Sequence, residues 1–141
     1  HIIKMDNFMK KIILLGITVL LNGCLNPANQ LINNKFIKVK PSISSVSGIW
    51  TFSSGPNIST IKLYPNGSGI ICDDISGNIV FNKVKYANNM IYIQNGMVLE
   101  VKLLNKDILK IRTILSASTS NMIYKADNDL KAASLKCVKE I

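Results

Sequence analysis

The sequence predicts an all-β fold: a small antiparallel, eight-stranded up-and-down barrel, followed by a C-terminal helix and preceded by a signal segment and a flexible tether. Three observations predict it. From residue 47 onward, short β-rich runs succeed one another with turn residues between them. The clearest of these runs alternate apolar and polar side chains with a period of two. After residue 126 the apolar period lengthens toward that of a helix.

Taken in chain order, the first element is residues 9–24. Lys10 and Lys11 precede the apolar run Ile12 to Leu21, which ends at Leu21-Asn22-Gly23-Cys24. A membrane-spanning helix needs about 20 apolar residues, so this run is too short to span. The order of charge, apolar run and small residue before a cysteine resembles a bacterial lipoprotein signal peptide ending in a lipobox. The resemblance implies that residues 1–23 are removed and that the Cys24 thiol carries a thioether-linked diacylglycerol, with fatty acyl groups such as palmitate. His1 to Lys4 precede the first methionine and fit no part of the signal. Leu25 stands where an Asp would mark inner-membrane retention, so the expected address is the outer membrane of the cell envelope.

Residues 24–46 then read as the lipidated cysteine and its tether. They hold Pro27, Pro41, several Asn and Ser residues and the basic stretch Lys35 to Lys40, with no sustained apolar period. Such a basic segment can favour an anionic leaflet by about 1 kcal/mol per Lys; a solvated linker explains it equally well. Ile37 and Val39 also suit a short edge strand.

The barrel is expected over residues 47–126, with strands at 48–54, 58–64, 68–73, 78–86, 90–94, 97–104, 107–115 and 121–126. Pro65-Asn66-Gly67, Ser76-Gly77-Asn78, Ala87-Asn88-Asn89, Asn95-Gly96 and Asn105-Lys106-Asp107 supply the turns. Met97, Leu99, Val101 and Leu103 alternate with Glu100 and Lys102, and Leu109 and Ile111 alternate with Lys110 and Arg112. Short strands joined by short turns make a meander, and a meander removes its edges by closing on itself. Over residues 127–141, Asp127 or Asn128 can cap a helix that places Leu130, Ala133, Cys137 and Ile141 on one face.

The formal charge is +9, from 17 Lys and Arg against 8 Asp and Glu. For an exported chain the anionic partners are a membrane surface or an anionic envelope polymer rather than nucleic acid. Arg112 is the sole arginine, which speaks against a tuned bidentate phosphate site. With Cys24 assigned to lipid, Cys72 and Cys137 remain as an even pair in an oxidising setting. One disulfide follows from that compartment, closing a loop of about 65 residues; two buried thiols are the alternative.

Catalytic and metal chemistry finds no footing. The single histidine, His1, falls in the segment expected to be removed, which excludes His-based triads and His-containing zinc sites. No Gly-x-Ser-x-Gly elbow or P-loop occurs. Asp73 and Asp74 are adjacent on a strand and so point to opposite faces, and a turn or edge role suits them better than a metal. Asp127-Asn128-Asp129 lacks the glycine and distal glutamate of a calcium loop. No cofactor is expected beyond the covalent lipid on Cys24.

Gly48-Ile49-Trp50 opens the first strand and resembles the Gly-x-Trp signature of lipocalin-like barrels. Leu63-Tyr64-Pro65-Asn66-Gly67-Ser68-Gly69 is similar to the second hairpin of small lipocalin-like lipoproteins. The resemblance covers about residues 47–141. It implies an eight-stranded barrel with Trp50 closing one end and a C-terminal helix packed outside, often held by a disulfide. Trp50, Phe52 and Phe81 are the candidates for lining a ligand cavity, although core packing in a small barrel accounts for them more simply. The function expected is a lipid-anchored, non-enzymatic binding or interaction module, partnered by a membrane and by an envelope protein or polymer. Two other readings are a carrier of a small apolar ligand and an inhibitor of a hydrolase such as lysozyme. Ser116-Ala117-Ser118 followed by Tyr124 faintly resembles the segment such inhibitors use, but the basic charge would repel a basic lysozyme.

Overall fold

The computed structural model describes residues 36–114 and 120–141. Eight strands follow one another: β1 (Gly48–Ser54), β2 (Asn57–Leu63), β3 (Ser68–Ile75), β4 (Asn78–Ala87), β5 (Met90–Ile93), β6 (Val98–Leu104), β7 (Ile108–Thr113) and β8 (Met122–Ala126). They form a closed antiparallel barrel in sequence order. The closing seam pairs Trp50 with Ala126 and Thr51 with Lys125. The turns use the residues the sequence offers. Ser76 and Gly77 join β3 to β4, and Asn88 and Asn89 join β4 to β5, all four with positive φ. That is the backbone of tight hairpins whose twist matches the strands.

The core occupies one half of the barrel. Trp50, Ile61, Leu63, Val84, Ile91, Leu109 and Ile111 are fully buried there. Trp50 closes this end, its indole N–H donating to the Asn105 carbonyl at 3.2 Å in the β6–β7 turn. Burying an indole of this size is worth about 4–6 kcal/mol from area alone. The alternation expected in β6 holds at Leu99, which is buried, and fails at Leu103, which is 45% exposed. A register shift between Val101 and Leu103 turns Leu103 outward, and Leu104 takes the place against the core.

Two expectations need correction. The helix predicted over residues 127–141 is a single turn, α1 (Leu135–Val138). Leu130 takes a positive φ of 58°, which a helix cannot accommodate. The Asp127 carboxylate gathers the N–H groups of Ala132 and Ala133 and the Thr51 hydroxyl. It therefore folds a turn rather than capping a helix, and Ser134 is the true N-cap, accepting from the Cys137 N–H at 3.1 Å. Ala133 and Cys137 are buried as expected, Ala133 at this turn and Cys137 on α1.

The second correction concerns the tether. Residues 24–35 and the lipobox lie outside the described residues. Residues 36–38 are helical, not an edge strand, and the following segment is strapped to the barrel. The Ser42 N–H donates to the Tyr86 carbonyl and the Ser44 N–H to the Pro65 carbonyl. Lys85 donates to the Phe36 carbonyl and stands 4.4 Å from that ring's centre. Gly67, with φ of 86°, lies so close beneath Ser42 that a Cβ would strike the Ser42 backbone. The bonds of Ser42 and Ser44 are main-chain contacts, so a composition rich in Asn, Ser and Pro hides them.

Cys72 is bonded to Cys137, with Cα atoms 5.8 Å apart. Cys72 is on the outer face of β3, and the bond fastens the tail over it. Replacing both cysteines by alanine should lower unfolding stability by about 4 kcal/mol in the chain-entropy picture, read from denaturant midpoints. An unchanged midpoint would deny the disulfide its structural role.

Candidate functional site

The inward positions change character along the barrel. Toward the closed end they are Trp50, Ile61, Leu63, Val84 and Leu109. Toward the other end they become Ser54, Asn57, Ser59, Asn82 and Thr113. The smaller side chains leave a cavity of about 390 Å³, open at the mouth. Its walls are largely apolar, from Phe52, Ile71, Ile93, Leu99 and Met122, with Asn95 and Met97 at the β5–β6 turn. The volume lies within the ~300–1,000 Å³ of small-molecule sites.

One polar line crosses this apolar wall. The Tyr124 hydroxyl donates to Ser59 Oγ at 2.7 Å, and Ser59 stands beside the Asp73 carboxyl. Ser59 and Asp73 are cross-strand partners on β2 and β3. The Tyr124 ring lies 5.4 Å from that of Phe52. Burial pushes the phenol up to about 12, against the Ser59 hydrogen bond and with the Asp73 charge adding to the rise. Burial also raises the Asp73 carboxyl, and Ser59 offsets part of that rise. The line thus runs from the Tyr124 phenol through Ser59 to the Asp73 carboxyl.

The candidates picked from the sequence divide three ways. Phe52 lines the cavity. Trp50 is the floor of the filled half and is wholly buried. Phe81 is corrected: it stands opposite Cys72 on the outer face and is 42% exposed, because odd positions of β4 point outward. Ser59, Asp73 and Tyr124 went unrecognised as a set. Parity could have found Asp73, since it shares a face with the buried Ile71. Asp74 does fill the turn role, accepting from the Gly77 N–H at 2.8 Å. Glu100 is on the outer face, paired with Arg112 at 2.6 Å and Lys102 at 2.9 Å. Among the described residues no group of three or more metal-ligating side chains occurs, and no helix is long and apolar enough to cross a membrane.

An eight-stranded meander with a tryptophan at its closed end is the architecture the Gly48-Ile49-Trp50 resemblance implies. The family described as bacterial lipocalin LPS transport optimiser YedD matches residues 33–141. The chain belongs to this family. No curated protein matches this YedD-family chain. Among solved structures it is similar to one described as a lipocalin lipoprotein affecting virulence in Streptococcus pneumoniae. The two are 13% identical, with a TM-score of 0.50 over 62% of this chain and 97% of the other. At that identity the likeness speaks for the barrel alone.

The raised Asp73 carboxyl has a consequence for stability. The fold favours its neutral form, so its stabilising share is full below the ordinary value of 3.8 and is lost as pH rises through the raised value. Asp73→Asn, whose amide oxygen can still accept from Ser59, should therefore be more stable than the parent at pH 7. The gap should close below the ordinary carboxylate value. Denaturant midpoints at acid and neutral pH check this, and a variant less stable at neutral pH would contradict it.

Proposed function

We propose that this chain is a lipid-anchored lipoprotein of the bacterial envelope whose barrel binds a small, largely apolar ligand without catalysis. The observation that carries the reading is the open cavity of about 390 Å³ with its apolar wall and single polar line. The lipobox-like residues 21–24 support the anchor on Cys24, and Leu25 supports an outer-membrane address. Under this reading residues 1–23 are the removed signal. The family's description supports a role as an accessory in LPS transport. A basic exterior suits that setting, because lipid head groups and envelope polymers of the membrane face are anionic. The alternative of a lysozyme inhibitor has less behind it: Ser116-Ala117-Ser118 lie outside the described residues, and the charge of +7 left after removal of residues 1–23 (14 Lys and Arg against 7 Asp and Glu) opposes a basic target.

Two measurements test the two halves of this reading. The neutral fluorophore Nile red should brighten on binding the protein, and the cavity-filling variant Asn82→Trp should lose at least about tenfold in affinity, the ~1.4 kcal/mol of a displaced ligand contact. Equal binding by the variant would place the ligand elsewhere. Cells fed a labelled fatty acid should label the parent chain and not Cys24→Ala; label retained by that variant would end the claim for the anchor.

A further inference from the structure

The charge of the cavity runs against the charge of the chain. Lys and Arg outnumber Asp and Glu by 17 to 8. Yet the described residues lining the cavity include Asp73 and Asp74 and no lysine or arginine. Asp74 is at the rim and is engaged by the Gly77 N–H. Asp73 is the carboxyl that faces the interior, cross-strand from Ser59, which Tyr124 braces. Ser54 and Asn57, one inward position further along β1 and β2, add neutral oxygen acceptors to the lining.

We propose that this cavity selects amphiphiles with a protonated amine head, seated at Asp73 with an apolar body along Phe52, Leu99 and Met122. The inference rests on the reading of the cavity as a ligand site. An ammonium brings donors only, and the cavity offers it a carboxylate and amide or hydroxyl oxygens. A fatty carboxylate would set its head against Asp73, with no lysine or arginine among the described lining residues to offset the repulsion. Desolvation raises the stakes of the pairing: in this apolar wall a charge-assisted hydrogen bond is stronger than one made in water. The chain's overall positive charge acts on an incoming cation only across solvent, where screening falls within about 8 Å at physiological salt. Contact at Asp73 decides the outcome.

The test compares three ligands of one chain length, dodecylamine, dodecanol and dodecanoate, on the full-length chain by Nile red displacement below their micelle concentrations. The amine should bind about ten- to a hundredfold tighter than the alcohol, as a hydrogen bond to a charged group implies, and dodecanoate should bind more weakly than the alcohol. Asp73→Asn should erase the amine's advantage and leave dodecanol binding intact, which also reports that the variant is folded. Asp129→Asn, an exposed carboxyl outside the cavity lining, should leave the ranking unchanged. If dodecanol binds but the amine has no advantage, or keeps its advantage in Asp73→Asn, this inference is overturned and the cavity remains a ligand site. If none of the three binds, the cavity reading itself falls and the inference with it.

Discussion

The seam between β1 and β8 is the constraint on which the rest of the structure depends. A meander becomes a barrel only when its first and last strands meet, and here their ladder is short, pairing Trp50 with Ala126 and Thr51 with Lys125. The residues just past β8 secure it. The Asp127 N–H donates to the Ile49 carbonyl, and Asn128 Oδ1 accepts from the Ile49 N–H. The buried Asp127 carboxylate then takes the Thr51 hydroxyl, itself 2.8 Å from that of Thr60. A carboxylate taken out of water is costly unless its oxygens are filled. The Ala132 and Ala133 N–H groups fill them. One side chain thus joins β1, through its link to Thr60 also β2, and the tail, and the disulfide fixes that tail to β3.

With the seam closed, the interior is shaped by which residues occupy the inward parity. Large side chains fill the half around Trp50, so that half behaves as an ordinary core. Small polar ones leave the other half open. Because Ser59, Asp73 and Tyr124 come from β2, β3 and β8, their line exists only in the closed barrel. The same seam that holds the fold together therefore assembles the candidate site.

Much of the fold could be read from local signals. The strands announced themselves by alternation, and Ser76-Gly77 and Asn88-Asn89 by their tolerance of positive φ. The trio Leu130, Ala133 and Cys137 has helical spacing, but Leu130 is in a left-handed turn, Ala133 is held by Asp127's grip on the backbone, and Cys137 is buried on the single turn α1. The strap at Ser42 and Ser44 is held by main-chain bonds, which leave no trace in residue type beyond Gly67. Leu103 was misplaced because a bulge inverts parity without a sequence mark. The cavity is a sum of side-chain volumes over strands distant in sequence, and no single run of residues contains it. Asp73 was legible by its parity with Ile71, and its partners were not.

The tail's position also sets an order of events. Cys137 and Asp127 are made after every strand, so neither the seam nor the disulfide can form until the whole barrel sequence has been delivered. During that interval β1 and Cys72 wait without their final partners, and the contacts that complete the fold span most of its length. Closures of such long sequence separation are slow. The unfinished meander therefore carries an open thiol, and the fidelity of assembly turns on how long Cys72 must be kept from the wrong partner.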